Sequence, residues 1–167
     1  AGGGDDTIAV TDALLSNGLI VEGGAATSGD TLEITTDATL IDTDFAQVTG
    51  IESLVFTGET LDGAQSAILA GNAQFAGVRT IDTSAAEGDF TLDLSAYTVA
   101  VNVIAGAGDD ALLLGSGGGS VQGGEGDNTV TVGAANDGVH DDSITLGSGD
   151  DRVLVSDAQL TQHLAVA

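Results

Sequence analysis

Between residues 105 and 154, glycines and acids return at a fixed spacing that can gather oxygen atoms. Residues 105–113 read AGAGDDALL, residues 114–122 LGSGGGSVQ and residues 123–131 GGEGDNTVT. A 14-residue variant, VGAANDGVHDDSIT, occupies 132–145, and residues 146–154 read LGSGDDRVL. The first nine residues, AGGGDDTIA, fit the same frame. Glycine holds the second and fourth positions, and an acid or amide holds the sixth except at Gly119. An aliphatic side chain holds the eighth: Ile8, Leu112, Val121, Val130 and Val153. Glycine tolerates positive φ and close backbone approach, so its carbonyls can turn toward one point. The sixth side chain adds a hard anionic oxygen to the same point, which is the chemistry of hard-cation capture.

Such loops need regular elements to hold them. The eighth residue sits in a short strand and faces inward, so two nonapeptides make one coil, and coils stack as parallel strands about 4.8 Å apart. Stacking puts the loops at 105–110, 123–128 and 146–151 on one side, aligning Asp110, Asn128 and Asp151. The loops at 114–119 and 132–142 fall on the other side, where Gly119 supplies no acid. The fifth-position acids Asp5, Asp109, Asp127 and Asp150 are expected to point outward.

Upstream, strands are expected at Thr7–Val10, Gly18–Val21, Thr31–Thr35, Glu52–Phe56, Val78–Thr83, Phe90–Leu94 and Val99–Ala105. Downstream they are expected at Ala111–Leu114, Asn128–Val132, Ser143–Leu146 and Arg152–Val155. The period of two is plain in Phe90-Thr91-Leu92-Asp93-Leu94 and in 99–104. Short helices fit only Asp62–Ala73 and Asp157–Leu164, and the first reads equally well as a strand and turn around Ala67–Ala70. The expectation is an all-β parallel solenoid spanning 1–155: a first loop at 1–9, degenerate β-rungs at 10–104 and nonapeptide coils at 105–154. Residues 156–167 would form a tail or cap.

Composition narrows the function. The net charge is −24, with 26 acids against two Arg and no Lys, which repels nucleic acid and anionic membranes. Without Cys and with only two His, zinc cages and thiol chemistry are excluded. No run of about 18 apolar residues offers a membrane-spanning helix. The chain starts without the basic-then-apolar pattern of a signal peptide. Acidic disorder does not fit a chain that is 42% hydrophobic. Few aromatics, many glycines and short aliphatics suit thin, regular layers.

The frame resembles the Gly-Gly-x-Gly-x-Asp-x-aliphatic-x repeat of RTX (repeats-in-toxin) proteins, which form calcium-loaded parallel β-rolls. In clear form the likeness covers 1–9 and 105–154. More loosely, residues 42–54 (DTDFAQVTGIESL) and 88–95 (GDFTLDLS) look like segments of RTX-type surface-layer and large adhesin proteins. Ala1, Ala105, Leu114 and Leu146 replace the first glycine of the pattern, Asn128 replaces Asp, and Gly119 has no ligand side chain. The resemblance implies several bound Ca²⁺ ions. Carbonyls would come from around Gly106, Gly108, Gly124, Gly126, Gly147 and Gly149, and side-chain oxygens from Asp110, Asn128 and Asp151. Asp6 would serve the first loop, and Asp142 is the preferred ligand of the insert at 136–142, which reads equally as a solvent loop. Calcium accepts six to eight oxygens, carbonyls among them, more readily than magnesium does.

Two carboxylates about 5 Å apart repel by roughly 3 kcal/mol at an effective dielectric near 20. With so few cationic side chains, metal binding and folding are expected to be one event. The bland alternative is a solvated acidic face without metal. The neighbours His140, Asp141 and Ser143 do not make a triad, which is assembled from separate elements, and His163 has no partner in sequence reach. No enzyme is expected. The expected role is an extracellular or bacterial cell-surface structural protein, a calcium-stabilised solenoid building a layer or filament. In it, copies would join end to end through calcium, with Asp6 near Asp151 of a neighbour. The alternative is an accessory RTX module of a larger type I-secreted enzyme, toxin or adhesin. A sugar- or ice-binding adhesin would want an aromatic platform or a regular Thr ladder.

Overall fold

Strands that alternate a small polar residue with an aliphatic bury one face only and must close against a second sheet. The computed structural model describes residues 1–57, 63–133, 142–155 and 164–167. Its strands are β1 (Thr7–Val10), β2 (Val21–Glu22), β3 (Thr31–Ile34), β4 (Thr39–Ile41), β5 (Val48–Thr49), β6 (Ser53–Phe56), β7 (Gln65–Ile68) and β8 (Thr80–Asp82). They continue as β9 (Phe90–Asp93), β10 (Val101–Ile104), β11 (Ala111–Leu113), β12 (Gly119–Gln122), β13 (Thr129–Thr131), β14 (Asp142–Thr145), β15 (Arg152–Leu154) and β16 (Leu164–Val166). Two short helices, α1 (Asp12–Ser16) and α2 (Gly71–Ala76), and a 3-10 turn at Asp42–Phe45 complete the described elements.

All pairings are parallel. An eight-stranded sheet runs β1-β3-β6-β8-β10-β12-β14-β16, a six-stranded sheet runs β15-β13-β11-β9-β7-β4, and β2 pairs with β5. The chain winds between the sheets as a parallel β-solenoid, as the alternation and the nonapeptides predict. Leu32, Leu54, Ile81, Val103, Val121 and Ile144 stack in register inside the first sheet, all buried. Leu40, Ala67, Leu92, Leu112 and Val130 answer from the second.

Rung length sets what fills the interior. In the nonapeptide coils Asp110 and Asn128 lie one rung apart at a separation of 18 residues, and Val and Leu suffice to fill the space. The upstream rungs are longer, with separations such as 24 for Asp6 and Asp30. There the large buried rings gather: Phe45, Phe56, Phe90 and Tyr97. Phe56 and Phe90 meet edge to face at 5.0 Å between centroids, a favoured aromatic geometry.

Several elements depart from the sequence reading. Where a helix or a strand and turn was expected from Asp62, which lies outside the described residues, to Ala73, the chain forms β7 and then the start of α2. The helix α2 begins where Asp42, from the 3-10 turn, accepts the N–H groups of Ala70, Asn72 and Ala73 at 2.8, 3.1 and 3.1 Å, so a remote carboxylate supplies the cap. Strands β4 and β5 and helix α1 were not expected, β12 forms around the eighth-position Val121 as the frame predicts, and the strand expected at Gly18–Val21 is Val21–Glu22. The helix expected at Asp157–Leu164 lies outside the described residues apart from Leu164. That residue opens β16, which pairs with β14, so the end of the chain adds a rung where a tail or cap was expected.

Candidate metal centre

The loops 105–110, 123–128 and 146–151 lead into β11, β13 and β15, which are neighbours in the six-stranded sheet. Asp110, Asn128 and Asp151 therefore stand in one column, as the frame predicts. The column is a hydrogen-bond ladder: Phe90 N–H donates to Asp110 Oδ1 at 2.8 Å, Asp110 N–H to Asn128 Oδ1 at 2.9 Å, and Asn128 N–H to Asp151 Oδ1 at 2.9 Å. Asp110 and Asn128 are buried and Asp151 half-buried. The Asn128 amide also donates to Glu125 O and Gly126 O, closing its own loop.

The fifth-position acids make a second ladder. Asp89, Asp109, Asp127 and Asp150 are exposed, as expected for outward-pointing side chains. Asp109 N–H donates to Asp89 Oδ1, Asp127 N–H to Asp109 Oδ1 and Asp150 N–H to Asp127 Oδ1, each at 2.8 Å. Asp89 belongs to this ladder although it lies in the degenerate segment.

Glycine is required here mainly by rung-to-rung packing. A Cβ on Gly124 would lie 1.9 Å from Gly106 O, and one on Gly147 would lie 1.5 Å from Gly124 O. On Gly126 and Gly149 it would meet Gly108 O and Gly126 O, each at 2.1 Å. The carbonyls thus line up along the stacking axis, each over the next glycine. At Gly126 and Gly149 a carboxylate oxygen joins them, Asp109 Oδ1 at 3.1 Å and Asp127 Oδ1 at 3.0 Å from the same Cβ points. The carboxylates beside these carbonyls are the fifth-position acids, which the sequence reading ranked below the sixth.

Asp110 carries the electrostatic tension of the column. Burial pushes its carboxyl up to about 6; the Phe90 N–H and, more weakly, the Gly106 N–H pull it back, and the charges of Asp89 and Asp109 push it further up. Its Oδ2 is buried without a hydrogen-bond partner. A buried carboxylate oxygen without a completed hydrogen bond is costly, and a hard cation held by it and by nearby carbonyls would offset that cost. Among the described residues no three acidic or His side chains converge on one point, so carbonyls have to supply most ligands, as calcium permits.

The other sequence-predicted ligands stand across the solenoid. Asp142 opens β14 opposite Gly119, buried; the rest of the insert, 136–141 with His140, and His163 lie outside the described residues. Asp6 leads into β1, so it belongs to the side of Asp142 and not to that of Asp151. The pairing of Asp6 with Asp151 across a junction is therefore not what straight stacking of copies would give. The rungs at 10–104 do not preserve the two-nonapeptide count, and the side on which Asp6 falls shifts with them.

Two residues of this second column escaped the sequence reading. Asp6 N–H donates to Asp30 Oδ1 and Asp30 N–H to Glu52 Oε2, both at 2.7 Å, the same ladder as at Asp110. Asp5 Oδ1 accepts the N–H groups of Thr27 and Ser28 at 2.7 Å, which holds its carboxyl below the ordinary range. The signal was a tripeptide: Asp30-Thr31-Leu32 and Glu52-Ser53-Leu54 repeat the acid, small polar, aliphatic order of Asp6-Thr7-Ile8.

No protein-family model, curated protein or solved structure matches the chain. The parallel solenoid and its three ladders are what define its class. Among the described residues no helix is long and apolar enough to cross a membrane.

Proposed function

We propose that this chain is a non-enzymatic structural solenoid that binds several Ca²⁺ ions between its stacked loops and works outside the cell, in a surface layer, filament or adhesin stalk. The carrying observation is Asp110, a buried carboxylate in a ladder of loops with one oxygen that completes no hydrogen bond. Asp110, Asn128 and Asp151, with carbonyls around Gly106, Gly108, Gly124, Gly126, Gly147 and Gly149, would hold the ions. Calcium there neutralises charge that two Arg cannot balance. Extracellular calcium modules bind at about 10⁻⁴–10⁻³ M, so the chain stays loose where calcium is scarce and stiffens where it is plentiful.

Among the described residues the strand order puts β1 and β16 at the edges of one sheet and β4 and β15 at the edges of the other, and such edges can take up either another copy or further rungs of the same chain. Parallel edges present unpaired backbone groups to another copy. A calcium titration after chelation, followed by circular dichroism and negative-stain electron microscopy, tests the reading. Strand signal and ordered polymers rising together with calcium support it. A calcium-folded monomer that never assembles favours the accessory module of a larger secreted protein. A chain indifferent to chelation overturns the calcium role.

A further inference from the structure

The outer face of the six-stranded sheet is a surface that the acids of this chain avoid. Along β4, β7, β9, β11, β13 and β15 the outward side chains form two columns in register. One column runs Ile41, Ile68, Asp93, Leu113, Thr131 and Leu154; the other holds only Thr, Ser and Ala until Arg152 on the last rung. A shallow groove of about 190 Å³ lies over Ala111, between Thr91 and Thr129. The chain has 26 acids against two Arg, yet these columns carry one charge of each sign. Two copies repel each other wherever their acidic loops meet, and this neutral face is where they can approach without that penalty.

We propose that this face docks a second copy of the chain, held by Asp93 and Arg152. Asp93 is half-buried on β9 and Arg152 exposed on β15, with β11 and β13 between them. Three strand spacings, about 14 Å, keep the two charges from meeting within one copy. A two-fold axis running along the strands between β11 and β13, midway between two facing sheets, exchanges β9 with β15. It sets Arg152 of each copy over Asp93 of the other, so that both charges are answered twice. Their columns differ by about 7 Å along the strand, which the long Arg side chain and the usual tilt between packed sheets span. The groove over Ala111 lies beside the axis and leaves room for the facing side chains. Four shared strands make a small contact of the weak class, which a polymer would multiply. The proposal deepens the reading of the chain as a self-assembling protein and rests on it, but it uses neither the calcium loops nor the strand edges.

Analytical ultracentrifugation of the full chain in calcium, over a dilution series, tests this. Wild type is expected to show a reversible association that Arg152→Asp and Asp93→Arg each weaken at least about ten-fold. An equimolar mixture of the two variants is expected to restore it, because each hybrid dimer carries two Asp–Arg pairs. Asp93→Arg also lowers the net negative charge, so tighter association than wild type would mean general repulsion and overturn the pairing. A mixture that stays dissociated overturns it too. Asp93 Oδ1 accepts Ser95 N–H at 2.8 Å, and if Asp93→Arg does not fold, Arg152→Asp against Arg152→Lys decides. The first is expected to dissociate and the second to stay associated; equal behaviour overturns the face. A wild type that polymerises with calcium while both reversals change nothing overturns this face and leaves the assembly reading standing. A wild type that is monomeric at every concentration overturns both.

Discussion

Asp109 and Asp110 are adjacent in sequence but bond in opposite directions along the solenoid. Asp109 Oδ1 accepts from Asp127 N–H on the following rung, and Asp110 Oδ1 accepts from Phe90 N–H on the preceding one, both at 2.8 Å. One exposed acid and one buried acid therefore tie each loop both ways. The paired acids of the nonapeptide have separate tasks, and only the buried one leaves an oxygen without a donor. The same division holds for Asp5 and the column of Asp6, where Asp5 reaches the 27–29 turn and Asp30 reaches back to Asp6.

The effect of Asp110→Asn is expected to change sign with calcium. In chelator the substitution removes a buried charge and keeps an acceptor for Phe90 N–H. Its stabilisation is bounded by the rise from 3.8 to about 6, which converts to about 3 kcal/mol at most. In calcium the lost ligand makes the variant less stable than wild type. Urea unfolding of both proteins under both conditions checks it, and a variant stabilised equally in both conditions would remove Asp110 from the ligand set.

Acid is expected to stabilise the metal-free chain. Asp110 titrates higher folded than unfolded, so between its ordinary value and about 6 the folded state holds a proton that the unfolded state has released. That contribution is full below the ordinary carboxylate range and is lost as the pH rises through about 6. The thermal midpoint in chelator is expected to be higher at pH 5 than at pH 7.5. With calcium the order reverses, because proton and metal compete for the same oxygens.

Glycine substitutions should sort by the space above them. Gly124→Ala places a Cβ 1.9 Å from Gly106 O at a φ of +82 and is expected to cost more than about 2 kcal/mol or to block folding. Gly71→Ala meets nothing within 4 Å and sits at the start of α2, where it should be neutral or stabilise by up to about 1 kcal/mol. Thermal unfolding of the two variants in calcium makes the comparison.

What was legible in the sequence was whatever repeats at short range. The eighth-position aliphatics and the sixth-position acids of 105–154 sit where their frame puts them, because an 18-residue coil leaves no slack. Strands such as β4 and β5 escaped because their pairing partners, not their own residues, make them strands. β12 is anchored by the eighth-position Val121, and its start at Gly119 is set by Val101 and Asp142 on either side in register. Asp30 and Glu52 were hidden by loops of changing length, which conceal a column from any fixed period. The side on which Asp6 falls depends on the rungs upstream of 105, and their count is a property of the whole coil.

Acidity alone does not make a carboxylate calcium-dependent, and Asp42 provides the contrast. Its two oxygens take three N–H groups at the start of α2, so its charge is already answered by backbone donors and by the positive end of those peptides. Asp42→Ala removes the cap and leaves three N–H groups near the helix start without it. The expected cost is about 1–2 kcal/mol, read as a lower urea midpoint. That cost should be the same in chelator and in calcium, because no oxygen of Asp42 lacks a partner for a cation to satisfy. Asp110 is more deeply buried and has one oxygen outside any hydrogen bond, and its variant should respond to calcium. If Asp42→Ala proved as calcium-sensitive as Asp110→Asn, the response would belong to the fold's total charge, and the unpartnered oxygen would lose its place in the account.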